Sequence, residues 1–498
     1  MRQALKKINV VYTVPAIVLF SLTVWGLKFP EQMEETMLGL MHILIESVGS
    51  FFVVATVIFI GICFYLGFGR YRHMKLGKEG DKPEYNYYSW IGLLFGAGMG
   101  VGLLFWAVAE PLSHYVEPPP GMDAETQSVA EAGLLYSVFH WGIHPWAIYA
   151  TVALGLAIAK FKKDLPGLIS SVFHPLLGDR IHGGAGKTID IIAIIGTTIG
   201  VATTLGLSTM QLAGGLSEVF GLENTLLLQM SIITIITVVF LTSAVTGINR
   251  GMLYLSVTSL TLAAILMIVI FLLGPTLFLS EYVTSMTGEY VASFIPLTFE
   301  TMPYADNEWL GEWTFFYWAW LISWSPFVGT FIARVSRGRT LQEFVIGVLF
   351  VPAFTSLIWI VVFGGTGIHL EHILGADLAE TVVERPESGL FLILESLPFN
   401  LILSITTLIV ITIFFVTSAN SATYVLGVFS SKGDFDPKNK VLITWGLLIS
   451  AIAATFLFTG GLDGLEAMAI TAGLPFALLI VVMVFAIYRY FRKEGEAR

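Results

Sequence analysis

The 498-residue chain has a single cysteine, Cys63. One thiol excludes an intramolecular disulfide and any cysteine-built metal cluster. Charge is equally scarce, with Asp, Glu, Lys and Arg making up 12% of residues against roughly 25% in soluble domains. There is no basic patch of the kind that binds nucleic acid. At mid-span there are no paired carboxylates, no nucleophile–base arrangement and no HExxH zinc motif, which makes an intramembrane enzyme the poorest of the functional classes. Low-complexity tails and long linkers are also missing. With the short ends "MRQALKKIN" and "YRYFRKEGEAR", no soluble domain is expected on either side.

What the chain does have is apolar length. Hydrophobic residues make up 55% and mean hydropathy is +0.80. Runs of membrane-spanning length recur throughout, so an all-α polytopic membrane protein is expected. Twelve spans are expected near 9–27, 48–68, 88–108, 133–159, 188–212, 225–246, 252–275, 313–333, 342–364, 398–427, 440–460 and 465–488. The first run lacks a small-residue cleavage site and reads as a retained helix rather than a secretory signal. With the ends and the loops after even-numbered spans on one face, that face holds all of the 26 basic residues except Lys28 and Arg385. Most of the 36 acidic residues fall opposite. The positive-inside rule then puts both termini in the cytoplasm of a cell with this protein in its inner membrane. Segment 281–297, "EYVTSMTGEYVASFIPL", fits a helix lying along the membrane surface. Segment 365–397 reads as a loop with one short helix.

The third span contains "GAGMGVG" at 96–102, although each glycine weakens a helix by roughly 1 kcal/mol relative to alanine. Close helix packing is one explanation. The other is a broken helix whose freed backbone lines a transport site. A dinucleotide fingerprint is excluded, because no strand precedes the motif. Gly98 lies about 15 Å along the span from Tyr88, near the bilayer midplane. Aromatic residues gather at similar depth. Trp141, Trp146 and Tyr149 lie in the fourth span, and Trp320 and Trp324 lie one turn apart in the eighth. Phe316 extends the stripe outward, and Phe327 and Phe331 extend it inward. Core packing competes with a cage for a quaternary ammonium, which each indole face attracts by about 2 kcal/mol when desolvated. With no acid at mid-span, a net-neutral zwitterion suits the cage better than a bare cation.

The stretches "GAGMGVGLLFWAVAEP", "FHWGIHPWAIYA" and "WAWLISWSPFVGTFIARVSRGRT", with "PGLISS" (166–171) and "FFVTSANSATYVLG" (414–427), closely resemble the betaine/choline/carnitine transporter (BCCT) family over nearly the whole chain. The resemblance implies a LeuT-type 5+5 inverted repeat, spans 3–7 and 8–12, preceded by two extra helices. The chain then divides into 1–87 with two peripheral helices, 88–280 as the first repeat, 281–312 as an external helix and loop, 313–488 as the second repeat, and 489–498 as a short tail. Trp141, Trp146, Tyr149, Trp320 and Trp324 match the family's aromatic box. Gly98, Met99, Gly100 and Gly102 match the glycine stretch that contacts the substrate's polar end. Leu321 stands where betaine carriers of the family often have a further tryptophan. Thr417 and Ser418 match a sodium-binding pair, with carbonyls near Ala97, Met99 and Phe414 as further ligands. Thr197 matches half of a second sodium site whose other position falls on Val201. Span 5 has no Lys or Arg beyond Lys187 to replace an ion. Na⁺ symport of a betaine-like solute by a homotrimer is therefore expected. Choline, carnitine, trimethylamine N-oxide, sulfonium or ectoine transport, proton coupling, exchange and a channel remain as alternatives. His140 and His144 flank Trp141 with no third metal ligand in sight, which favours structural hydrogen bonding. Glu110 reads as an interface anchor, and Arg334, Arg337 and Arg339 as positive-inside anchors or parts of an inner gate.

Overall fold

Each long apolar run is helical in the computed structural model, which describes residues 9–98, 100–247, 249–305 and 307–496, with backbone alone at positions 97, 249, 250, 253, 495 and 496. Among the described residues there is no strand, only an isolated bridge between Lys75 and Thr340. Among the described residues ten helices are long and apolar enough to cross a membrane, and a bent pair in the third span adds an eleventh. The last helix, Asn439–Glu496, is interrupted at Gly461, whose φ of 56° is left-handed. The segment expected as a tail, 489–498, continues that helix as far as Glu496.

Burial separates a centre from a periphery. The best membrane-length windows of Gln127–Lys162, Gly184–Phe220 and Glu308–Val335 are 94%, 83% and 89% buried. Those of Val10–Lys28, Leu226–Thr246 and Tyr254–Leu273 are 28%, 28% and 22% buried, so their apolar side chains face outward. This outward apolar cover is what a lipid solvent requires. The eighth-span helix, Phe316–Val335, packs on Ile143–Ala157, Gly184–Phe220 and the last helix. Small residues allow the approach: a methyl on Gly200 would lie 2.9 Å from Ser323 Cβ and 3.0 Å from the Trp324 nitrogen.

One helix lies outside the expected spans, and one expectation needs correction. The connection between the first two spans is helical over Pro30–Val48. Proline at its first position and Glu31 in its first turn suit a helix start, and its glutamates had kept it below the apolarity of a span. Gly49 is helical as well and donates to the Ile45 carbonyl, so the helix runs into Ser50–Phe68. Segment 365–397 is more helical than expected: the ninth-span helix reaches Ile373, followed by Ala379–Glu384 and Gly389–Glu395. The segment at 281–297 lies within a helix, Thr276–Thr298.

Candidate substrate site

The third span is broken at its glycines. Tyr87–Gly98 and Val101–Val116 are separate helices, Gly100 between them is extended (φ −120°, ψ −162°), and the axes differ by 68°. The fourth span is broken too, at Gly142 (φ −85°, ψ −138°) between Gln127–Trp141 and Ile143–Ala157. That second break went unread, although "WGIHP" carries its signal. Pro145 has no N–H to return to the Trp141 carbonyl, and the glycine tolerates the resulting bend. The Ile143 N–H, freed by the break, donates to the Tyr290 hydroxyl at 3.0 Å, so the Thr276–Thr298 helix caps the second half of the fourth span.

The expected box residues are all buried and converge on the break in the third span. They form two tiers. In one, Trp141 stands edge-on to Trp320 (centroids 6.0 Å apart, 83°), and Phe316 stacks on Trp320 (5.7 Å, 9°). A methyl on Gly102 would lie 2.5 Å from Trp320 Cη2 and 2.9 Å from Trp141 Cη2. In the other, Tyr149 stands edge-on to Trp146 (5.8 Å, 89°) and to Trp324 (6.1 Å, 62°), with Phe327 beyond Trp324. This tier meets the glycines as well: a methyl on Gly98 would collide with the Trp146 ring, and one on Gly100 would lie 3.5 Å from Trp324 Cη2. The missing side chains of the glycines are thus what lets the indoles reach the backbone. The Trp320 N–H is committed to the Gly200 carbonyl (3.3 Å) and the Thr204 hydroxyl (3.2 Å) of the fifth span. The Trp324 N–H and the Tyr149 hydroxyl, both buried, have no protein partner.

A family model described as BCCT, betaine/carnitine/choline family transporter, matches residues 10–496. The chain belongs to the BCCT family. It is a multi-pass membrane transporter and not an enzyme. It is 42% identical over 492 residues to the glycine betaine transporter OpuD of Bacillus subtilis, covering 98% of this chain and 96% of that one. It is 39% identical over 491 residues to the ectoine/hydroxyectoine transporter of Virgibacillus pantothenticus, covering 98% and 97%. A betaine/ectoine transporter of Corynebacterium glutamicum, LcoP, is 38% identical over 485 residues, or 96% of this chain and 76% of its own.

Of the sodium ligands expected in this BCCT chain, Met99 and the Ala97 side chain lie outside the described residues. The Thr417 hydroxyl donates back to the carbonyls of Ile413 (2.9 Å) and Phe414 (3.2 Å), and Ser418, next to it, is half-buried. Thr197 donates back to Ala193 at 2.7 Å. The two threonine hydroxyls satisfy their donors within the helix and keep oxygen lone pairs as acceptors.

Glu110 is not an interface anchor. It is wholly buried, with one oxygen 2.6 Å from His140 Nδ1 and the other accepting from the Tyr317 hydroxyl at 2.7 Å. A carboxylate this far from water is tolerated because partners satisfy it. The two histidines beside Trp141 diverge: His140 Nε2 meets the Thr314 hydroxyl, while His144 Nε2 meets Thr298 and its ring stacks on Trp318.

The basic ends of the BCCT helices are strapped together. Leu76 N–H donates to Arg339 O, Gly338 N–H to Leu76 O, and Leu341 N–H to Met74 O, each at 2.8 Å. Gly338 has φ 82° and a Cβ there would lie 2.6 Å from the Lys82 carbonyl carbon, so glycine is required. Arg337 binds Asp81 through two nitrogens at 3.0 and 3.2 Å, and its guanidinium, followed by the Lys78 N–H, holds the Asp81 carboxyl below the usual carboxylate range. Arg339 donates to Tyr85 O and lies over the Trp90 ring, whose N–H donates to Ser336. Of the three arginines, Arg337 makes the two-nitrogen pair between loops, while Arg339 reaches Glu343 at 3.8 Å within its own turn.

Proposed function

We propose that the protein imports a quaternary-ammonium compatible solute, glycine betaine or a close analogue, by alternating access coupled to Na⁺. The observation that carries this reading is the tier of Trp146, Tyr149 and Trp324 against the broken backbone at Gly98 and Gly100. Its ring faces suit a methylated cation that has no N–H to donate. Its two unpartnered donors, Trp324 N–H and Tyr149 O–H, suit the carboxylate of the same zwitterion, since buried donors gain from an acceptor. The 42%-identical glycine betaine transporter supports the same solute class. Ectoine is the second reading, favoured by the two ectoine-transporting relatives and by Leu321 in place of a further box tryptophan.

The proposal extends to topology and coupling. The chain crosses twelve times when the last helix is counted as two spans about Gly461, with spans 3–7 and 8–12 as inverted repeats of the LeuT type. The segregation of basic residues puts both termini in the cytoplasm and the strap on the inner side. Thr417, Ser418 and the Phe414 carbonyl supply hard oxygens for Na⁺, and Thr197 marks the place of a second ion. The homotrimer follows from the family resemblance.

Uptake by purified protein in liposomes, with a labelled panel of betaine, ectoine, choline and carnitine and with or without an inward Na⁺ gradient, tests the proposal. Betaine accumulation that depends on the gradient is expected. External unlabelled solute should accelerate label movement, as counterflow through a carrier does and passage through a channel does not. Equal uptake without Na⁺ would end the coupling, and no uptake of any quaternary ammonium would end the substrate class.

A further inference from the structure

Glu110, His114 and His140 bring one carboxylate oxygen and one nitrogen of each imidazole within 4.8 Å of one another, in a wholly buried cluster. Glu110 Oε1 lies 2.6 Å from His140 Nδ1 and 3.5 Å from His114 Nε2. The far side of two ligands is already held, as outer-shell partners hold the ligands of a metal. His140 Nε2 has the Thr314 hydroxyl at 2.9 Å, and Glu110 Oε2 has the Tyr317 hydroxyl at 2.7 Å. His114 is the anomaly. Its ring packs 4.3 Å from Trp313 and 5.0 Å from Trp309, yet Nδ1 has no hydrogen-bond partner and Nε2 has only the 3.5 Å approach to Glu110 Oε1. A buried polar group in that condition is costly.

We propose that Glu110, His114 and His140 form a site for a divalent transition-metal ion, with Zn²⁺ the best match. Two imidazoles and one carboxylate form a known zinc ligand set that leaves a fourth position open. Ligand atoms around tetrahedral zinc lie about 3.3 Å apart, so the His114 contact already fits and the shorter His140 contact opens by less than 1 Å, roughly. Binding requires the His140 proton on Nε2, where Thr314 accepts it. Any proton displaced from the nitrogens leaves to solvent, which makes binding weaker as pH falls. The ligands come from two consecutive helices packed on each other: Glu110 and His114 lie on Val101–Val116, beyond the break in the third span, and His140 on Gln127–Trp141, ahead of the break in the fourth. A bound ion clamps these helices behind the aromatic tiers and slows transport. The inference stands on these three side chains and does not depend on which solute is carried.

The test uses chelator-treated, purified full-length protein, with Zn²⁺ uptake by equilibrium dialysis and bound Co²⁺ read by visible ligand-field absorption. One Zn²⁺ per chain is expected, with little competition from Mg²⁺ or Ca²⁺. His114→Phe keeps the ring packing on Trp313, removes both nitrogens, and should weaken Zn²⁺ binding at least tenfold while metal-free transport persists. Micromolar-range Zn²⁺ should inhibit uptake by the wild type, chelator should restore it, and the variant should resist. Equal Zn²⁺ affinity in wild type and variant, or equal inhibition, overturns the proposal. Should His114→Phe fail to fold, Glu110→Gln replaces it, and absence of ligand-field bands from Co²⁺ in the wild type is by itself decisive against the site.

Discussion

Alanine placed at each glycine of the broken third span separates two roles of glycine, allowing a ring to approach and allowing a backbone to bend. At Gly102 the new methyl would stand 2.5 Å from Trp320 Cη2 and 2.9 Å from Trp141 Cη2. Carbon contacts are optimal at about 3.5–4.0 Å, so the ring tips must retreat by roughly 1 Å. Trp320 has little freedom to do so, because its N–H is bonded to the fifth span and its face is stacked on Phe316. Overpacking of this kind costs about 1–3 kcal/mol. The free transporter relieves the strain by displacing the rings, and a bound cation requires them back, so the cost falls on affinity as a loss of roughly 5- to 150-fold. Gly98→Ala should behave alike, since its methyl would drive into the Trp146 ring. Gly100→Ala is the control. Its methyl meets Trp324 Cη2 at 3.5 Å, an ordinary contact, and its extended φ of −120° suits alanine. Affinity there should change less than about threefold, under 0.7 kcal/mol. Calorimetric titration of glycine betaine, with thermal melting to confirm folding, measures all three. A loss at Gly100 as large as at the other two would show that the glycines serve the hinge and not the rings. Wild-type affinity at Gly98 and Gly102 would remove the rings from the site altogether.

Trp324→Leu removes one desolvated cation–π partner worth about 2 kcal/mol, and betaine titration should show a loss of roughly 30-fold; a change under threefold would refute its place in the box. Tyr290→Phe leaves the Ile143 N–H at the fourth-span break unpaired, and thermal melting should show destabilisation of about 1–3 kcal/mol. Thr417→Ala combined with Ser418→Ala should abolish Na⁺ activation of uptake in liposomes, and an unchanged sodium dependence would remove that site. The Asp81–Arg337 pair, with Asp81 held below the ordinary carboxylate range, contributes fully above the unfolded carboxylate value of about 3.9 and is lost only as pH falls through the lowered folded value. Asp81→Asn should therefore expose the loop at 336–341 to proteolysis at neutral pH, whereas the wild type should resist down to about pH 4, and Asp81→Arg with Arg337→Asp should restore resistance.

The break in the third span was legible because four glycines in seven residues have few purposes in an apolar run. That the indoles of the fourth and eighth spans turn inward was legible because indoles at mid-depth need a reason to be there. The break at Gly142 was harder to see, since a single Gly and Pro145 are tolerated inside many membrane helices. What sequence could not reach was pairing across helices. Glu110 ends an apolar stretch and reads as an anchor until His140 from the fourth span and Tyr317 from the eighth are seen on its two oxygens. Asp81 and Arg337 lie 256 residues apart, and no local spacing relates them. The helix over Pro30–Val48 was passed over for a different reason. Its glutamates lower its hydropathy below that of a span, and hydropathy was the signal being read.

The eighth-span helix is where the two closures meet. Tyr317, near its start, bonds Glu110 beyond the break in the third span, while Ser336 and Arg337, just past its end, bond Trp90 and Asp81 at and ahead of the third span's other half. One continuous helix thus faces a partner jointed at Gly100, and the aromatic tiers lie at the joint. Such a pair can release either half without releasing the other, which is the mechanical requirement of alternating access. The two closures are built differently. The Asp81–Arg337 pair is partly exposed (19% and 50%), and a pair of that kind contributes about 0.2–1 kcal/mol. The Glu110 cluster is wholly buried, and each group left unsatisfied there costs about 1–3 kcal/mol. The closure on the basic face also holds the buried Trp90–Ser336 bond and the three backbone bonds of the strap, so neither half is free to leave at no cost. On the proposed readings, the cluster around Glu110 is the closure that lies beside both the aromatic tiers and the ion site of Glu110, His114 and His140, so solute and ion should act on the same half of the third span.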